Sequence, residues 1–334
     1  MILLLTGAVT HIWAAPPGGS ASDLVRAAIR KEGRIDLSGT SETVLFTPQG
    51  QVKAQTRVFW SSQGMIRTEY LTGPAAGRVL VTRPLDAWEY RPGEKKVYLT
   101  LFGAAADLEK DWEMIAANHA FEDQGTERIA GRETRIVNIR SKYPGRPSRK
   151  LWIEPQMGVI LKSEFRDASN ALASATAFTS IDFNGKANPG LFSPPSGIPV
   201  VSTEGGQQPV SVEELAKLVG FPLVYPRSLP EGFRFQGVYP YRCRRGAYSA
   251  QLRYTDGLTS FSVFERWRVC PKCGEEVESG FPWRRGKRKV APESCELLAG
   301  PAGKTVKVDK DKLSFVVVGD LAREELSRVA EGLK

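Results

Sequence analysis

Four cysteines are the residues best equipped for chemistry in this 334-residue chain. Cys270 and Cys273 frame a Cys-Pro-Lys-Cys turn, Cys243 precedes it and Cys295 follows. In an oxidising compartment four thiols pair as two disulfides, with three possible connectivities. The rival is one tetrahedral zinc held by all four thiolates, since the C-x2-C spacing lets two sulfurs share a metal. Only one of the two pairs has that spacing, and an oxidising compartment disfavours free thiolates. Disulfides are therefore preferred to zinc, and no cofactor is expected. Covalent haem is disfavoured because Gly274, not His, follows Cys273. A thioredoxin-like role would need a helix after Cys270, which Pro271 and Gly274 do not offer.

Between the last two cysteines lies a basic run, Arg284, Arg285, Lys287, Arg288 and Lys289. It reads either as a solvated loop tip or as a patch for an acidic partner or anionic headgroup. Catalysis finds little support. His119 stands on an expected helix with no nucleophile motif nearby, and no serine elbow, phosphate loop or His-containing metal motif occurs. The carboxylate pairs Glu275/Glu276 and Glu324/Glu325 sit among polar residues and read as solvated faces. The chain is not expected to be an enzyme.

Hydrophobic residues at 41% and charged residues at 25% are those of a folded protein. The length favours two domains. A net charge of +9 favours acidic partners. The apolar run Met1 to Val9, followed by His11 to Ala15 and then Pro16 to Gly19, reads as the core and exit of a secretory signal, residues 1–19. It lacks a basic start, and the translation start is expected upstream or the cleavage unusual. No later run approaches the ~20 apolar residues that span a bilayer. The expected location is periplasmic or otherwise exported, near a membrane without spanning it. Export makes nucleic acid an unexpected partner despite the basic run.

Ser20 or Ser22 can cap a helix to about Lys31, with Leu24, Val25, Ala28 and Ile29 as its apolar stripe. From Arg34 to Thr100 the period becomes two, and turn residues such as Pro48-Gln49-Gly50, Thr72-Gly73-Pro74 and Pro92-Gly93 separate six strand candidates. A helix from about Asp107 to His119 presents Leu108, Trp112, Ile115 and Ala116 on one face. Strands resume from Phe121. Residues 150–184 then hold three runs with short turns between them: Leu151 to Glu154, Val159 to Arg166, and Ala171 to Phe183. In the second, Val159, Leu161 and Phe165 alternate with Lys162, Glu164 and Arg166, the signature of a sheet with one wet face. An antiparallel meander is the economical reading.

The series LWIEP, LKSEFRD and IDFN in this meander resembles the closing strands of the LolA/LolB-like sheet found in lipoprotein carriers and in the RseB/MucB family of sigma-E regulatory proteins. That resemblance implies a curved, incompletely closed antiparallel sheet with helices plugging its open side. A Pro-, Gly- and Ser-rich stretch, residues 193–209, reads as a linker. Beyond it, Ser211 with Glu214 forms a capping box, and Asp256-Gly257 joins two strand candidates as a hairpin turn. The order VYPRSLPEGF, YTDGLTSFSVFE, VVVGDL resembles the C-terminal domain of the same family, through Tyr254, Asp256, Gly257, Leu258, Ser262, Val263 and Phe264, then Val318, Gly319 and Asp320. The insertion 266–292, with its cysteines and basic run, departs from that pattern.

The expected architecture is thus α+β and mainly β: a half-barrel domain at 20–192 and a smaller α+β domain at 210–334. The resemblance implies a regulator that binds the exported part of an anti-sigma factor and answers to a lipid or lipoprotein acyl chain. Phe59, Trp88, Tyr90, Tyr98, Phe102 and Trp112 are candidates for an apolar pocket between the sheet and the helix at 107–119. Two alternatives are a lipid or lipoprotein carrier, and a cell-envelope protein with a structural disulfide or zinc site. Carriers of this fold usually stop after the first domain, so the second favours regulation.

Overall fold

The structure is a computed structural model that describes residues 19–101, 108–202, 209–242, 247–272, 274, 296–300 and 303–333. The expected signal segment and the basic run lie outside the described residues.

Helix α1 (Ala21–Lys31) starts at Ser20, which forms a reciprocal capping box with Asp23. Six strands follow: β1 (Leu37–Thr47), β2 (Gly50–Ser61), β3 (Met65–Tyr70), β4 (Val79–Thr82), β5 (Asp86–Arg91) and β6 (Lys96–Leu101). Helix α2 (Leu108–Asn118) runs straight into β7 (His119–Ile129), and β8 (Arg132–Ser141), β9 (Ser148–Glu154), β10 (Val159–Arg166) and β11 (Leu172–Asp182) complete the first sheet's long run. The expected meander is β9 to β11, antiparallel throughout. Strand β11 returns to pair with β1, which joins the two halves into one 12-stranded open sheet.

The sheet's twelfth strand comes from the expected linker. Residues Val200–Ser202, β12, pair in parallel with β6. Strand β6 would otherwise leave a row of backbone groups unpaired, and two valines are suited to cover them.

Cross-strand partners share a face, so the pairs Leu151–Ser163, Ser163–Thr176, Thr176–Thr43 and Thr43–Ala54 carry one face across five strands. Both helices sit on it. Val25 and Ala28 of α1 and Trp112 and Ile115 of α2 pack on Val137, Ile139, Leu151 and Ile153. The opposite face is covered by a different device. Phe192, at the end of a 3-10 turn (Pro189–Phe192), buries against Val81, Trp88 and Val97, with Leu191 and Ile198 beside it. Trp88 donates its indole N–H to the Phe192 carbonyl at 3.1 Å. Burying side chains of this size contributes about 1.5–3 kcal/mol each.

The second sheet has six strands in the order β13-β14-β15-β18-β17-β16. They are β13 (Arg234–Arg242), β14 (Tyr248–Thr255), β15 (Ser260–Trp267), β16 (Glu296–Gly300), β17 (Gly303–Lys310) and β18 (Leu313–Gly319). Helix α3 (Val212–Val219), capped by Ser211, and α4 (Arg323–Gly332) close one face over Leu252, Val263, Phe315 and Val317. Within this core Glu265 is fully buried, and the Val224 N–H donates to its carboxylate at 3.2 and 3.1 Å. One backbone donor does not replace the water lost, so burial pushes this carboxyl up to about 8.

The sign of the consequence follows from linkage. A carboxyl that binds its proton more tightly when folded favours the folded state in acid. That stability is lost as pH rises from the ordinary carboxylate range to about 8. Denaturant unfolding of the second sheet's aromatic signal should therefore show stability falling by a few kcal/mol over that window. Glu265→Gln should flatten the slope and be at least as stable as the parent at pH 8.

Candidate functional site

Where the two sheets meet, polar groups surround one apolar contact, Leu258 against the core that holds Trp112 and Ile115. Helix α2 ends at Asn118, whose side-chain amide donates to the carbonyls of Gly232 and Asp256, at 2.9 and 3.0 Å. The end of α2 also needs partners for its last carbonyls. Lys142 supplies its ammonium to Ala116 and Ala117, at 3.2 and 2.7 Å, and its backbone N–H to Asn118. His119 supplies Nδ1 to Ile115 at 3.0 Å. These bonds fix the helix end against the hairpin turn between β14 and β15.

That turn is rigid for its own reason. Asp256 Oδ1 accepts from the N–H groups of Leu258 and Thr259, at 3.0 and 2.7 Å. Gly257, at φ +103°, presses so closely on α2 that a Cβ would stand 2.7 Å from Ile115 Cγ1 and 3.1 Å from its nitrogen. Gly232, at φ +77°, leaves no room for a Cβ beside Tyr143 and Asn118. Both positions need glycine twice over, for the backbone angle and for the space.

Arg146, in the β8–β9 connection, reaches across the seam. Its guanidinium donates through Nε and Nη2 to both oxygens of Glu325 on α4, at 3.2 and 2.9 Å, a bidentate fork. The rings of Tyr143 and Phe233 flank it at 5.1 and 4.8 Å. Its Nη1 stops 3.7 Å from Asp256 Oδ2, and His119 Nε2 stops 3.7 Å from the same oxygen. Neither distance is a hydrogen bond. The side chains of Arg146, Asp256 and His119 are 1%, 0% and 3% exposed. Burial holds the imidazole below its ordinary value, with the Asp256 carboxylate pulling the other way and Arg146 and Lys142 adding to the depression.

The residues singled out from sequence fall elsewhere. Trp112 lies under α2 on the helix-covered face. Phe59, one residue before Trp60, points to the opposite face, and the partners Phe59–Arg67, Arg67–Val81 and Val81–Trp88 place Trp88 there too, with Tyr90 two residues on. Those three pack beneath residues 187–198, so they and Trp112 do not line one cavity. The register decides this, and aromatic clustering along the chain does not reveal it. Tyr98 shares the helix side through Leu80–Glu89 and Glu89–Tyr98, and its hydroxyl bonds Glu94 beside Arg91. Phe102 lies outside the described residues, as do Cys243, Cys273, Cys295 and the basic residues 284, 285 and 287–289. Cys270 is buried after β15, its carbonyl accepting from Gly274 at 2.9 Å. Among the described residues no helix is long and apolar enough to cross a membrane.

Residues 56–196 match the family model described as the MucB/RseB N-terminal domain. No curated protein matches the sequence. Three solved structures share the fold over nearly the whole chain. The first, MucB in complex with MucA(peri), has 18% identity, a TM-score of 0.62, and covers 93% of this chain and 97% of that one. The Pseudomonas aeruginosa MucA/MucB complex gives 18%, 0.61, 93% and 97%. A structure of MucB alone gives 19%, 0.53, 94% and 98%.

Because Arg146 is buried, removing its partner should cost more than the pair itself contributes. Glu325→Ala should destabilise by roughly 3–5 kcal/mol. Gly257→Ala should loosen the seam without touching a charge. In both variants calorimetry should resolve two melting transitions where the parent shows a coupled one. A single unchanged transition in both would mean that these contacts are not what couples the two sheets.

Proposed function

We propose that this chain, whose residues 56–196 match the MucB/RseB N-terminal domain, is an exported regulatory binding protein that holds the extracytoplasmic part of an anti-sigma factor and so restrains sigma-factor signalling. The supporting observation is the likeness of fold across both sheets to MucB in complex with MucA(peri), which reaches 93% of this chain. The second sheet and the polar seam that docks it are more than a carrier of acyl chains would require. The reading makes the protein a binder and not a catalyst, and places it in the periplasm. The basic run Arg284, Arg285, Lys287, Arg288 and Lys289 is assigned to the acidic side of that partner or to an anionic headgroup. The cysteines 243, 270, 273 and 295 are assigned to hold the insertion that carries it, as disulfides in preference to zinc.

A lipid or lipoprotein acyl chain is the second ligand of this reading, taken on the helix-covered face. Beyond α1 and α2 that face carries Leu45, 45% exposed, with its cross-strand partner Val52, and Tyr70 and Leu80 half-buried. The hydroxyl pairs Ser41–Thr56 and Thr43–Thr176, at 2.8 and 3.0 Å, lie among them. Their hydrogen bonds are already made, so an alkyl chain laid over them would strand no polar group.

Two measurements test the two halves separately. Calorimetry with the purified exported segment of a single-span anti-sigma factor encoded beside this gene should give saturable binding near 1 µM or tighter, about 8 kcal/mol. No heat and no co-elution would remove the regulatory reading. For the lipid, a fluorescent fatty-acyl probe should bind the parent and lose at least tenfold in affinity on Leu80→Glu. Trp88→Ala should lower stability by about 3–5 kcal/mol yet leave probe affinity unchanged where folded. The reverse order of effects would move the ligand to the other face.

A further inference from the structure

We propose that the end of the second sheet farthest from the seam is a docking tip for an anionic membrane surface, made by the end of α3, the exit of β15 and the β17–β18 turn. It uses no residue of the basic run 284–289 and rests on neither the anti-sigma nor the acyl-chain reading.

Register brings these pieces together. The seam takes the turn between β14 and β15, and β15 runs away from it. Its last residue, Trp267, pairs with Leu313 at the start of β18, which pairs with Lys310 at the end of β17. Arg268 then closes on the β17–β18 turn. Its backbone N–H donates to the Lys312 carbonyl at 2.8 Å and its Nη1 to the Asp311 carbonyl at 3.3 Å. Helix α3 ends at the same place, because the Trp267 indole N–H donates to the Val219 carbonyl at 2.9 Å and its ring meets Phe221 edge-on at 5.3 Å. Three neighbouring strands span only ~10 Å, about one screening length at physiological salt, so charges placed here act together.

Those charges are positive and unanswered. Lys217 in the last turn of α3, Lys272 after β15, and Lys310 and Lys312 on the β17–β18 turn are all exposed. Asp311 is the one acidic residue within 217–220, 268–274 and 310–312. None of the four ammonium groups has an ion-pair or hydrogen-bond partner among the described residues. The first sheet treats its cations differently: Arg67, Arg83, Arg91, Arg135 and Arg140 each pair with a carboxylate.

Apolar side chains stand among the lysines. Leu218, beside Lys217, is 40% exposed, and Val269, beside Arg268, is 49% exposed. A surface kept charged for solubility has no use for them. Basic residues around exposed aliphatic ones are what an anionic bilayer recognises, the cations meeting headgroups while the apolar groups enter the acyl boundary. An acidic polypeptide would answer the lysines and leave Leu218 and Val269 in water. Strand ends and a turn also present a projecting end, which suits a plane better than a chain.

Co-sedimentation of the full chain with phosphatidylcholine vesicles holding about 30 mol% phosphatidylglycerol tests the tip. The parent should bind these vesicles, leave pure phosphatidylcholine unbound, and release steeply between ~0.05 and ~0.5 M salt. Each lysine near an anionic surface contributes roughly fivefold in affinity, so Lys217→Gln, Lys272→Gln, Lys310→Gln and Lys312→Gln together should weaken binding by about thirtyfold or more. Thermal melting should not change, since none of the four is paired. Leu218→Ser with Val269→Ser should lower affinity by about tenfold and keep the salt dependence. A parent that leaves the anionic vesicles unbound, a quadruple variant that binds them as the parent does, or binding to polyglutamate with none to vesicles overturns the proposal.

Discussion

A guanidinium buried where two sheets meet sets the terms for the rest of this molecule. Arg146 cannot be left without partners in a site 1% exposed, and its partners come from both sides: Glu325 and Phe233 from the second sheet, Tyr143 from the first. A well-packed apolar seam could be as strong or stronger, since desolvation cancels much of what a buried ion pair contributes. A fork of two hydrogen bonds, however, is satisfied in one relative placement of the sheets. Each sheet also has its own apolar core, and Leu258 of the β14–β15 turn packs on the core of the first. The fork at Arg146 thus sets the placement of two cores that already touch at one apolar point.

The first sheet solves a separate problem. Twelve strands in an open sheet expose two large faces, and its strands alternate in a way that makes neither face wholly polar. Two short helices cover one side over β8 and β9. The other side is covered by chain with almost no regular structure, residues 187–198, pinned by Trp88 and by Arg67 donating to the Leu191 carbonyl at 2.7 Å. Among the described residues, this leaves the far end of the helix side, around Leu45 and Leu80, as apolar surface with no helix over it. Covering one face with the link to the second sheet also ties the two halves of the chain together, because β12 continues directly from that cover onto β6.

Most of this architecture was legible in the chain. Alternation from Val159 to Arg166 and the glycine and proline turns from Pro48 to Gly93 give the strands, and Ser20 and Ser211 give two helix starts. What was not legible has a common cause. Strand β12 is three residues long and acquires its identity from β6, over a hundred positions earlier. The opposite orientation of Phe59 and Trp112 depends on register across five strands. The seam is the clearest case. His119 reads as a lone histidine and Asp256-Gly257 as a hairpin turn, each a sound local reading, and nothing in the sequence marks Arg146. No periodicity links positions 119, 146, 256 and 325, which meet only through tertiary contact. The one available signal was the Tyr-Thr-Asp-Gly-Leu phrase, and it was informative as a resemblance before its physical reason was visible. Asp256 fixes the turn and Gly257 admits Ile115.

Two buried titrating groups then act in opposite directions across one pH range. Glu265, inside the second sheet, favours the folded domain as pH falls from about 8. His119, between the sheets, disfavours the folded state as pH falls below its ordinary value. Their sum in a whole-protein melting curve partly cancels, although the physical events are different. One proton goes to a carboxylate that burial had made costly, and the other to an imidazole that burial keeps neutral.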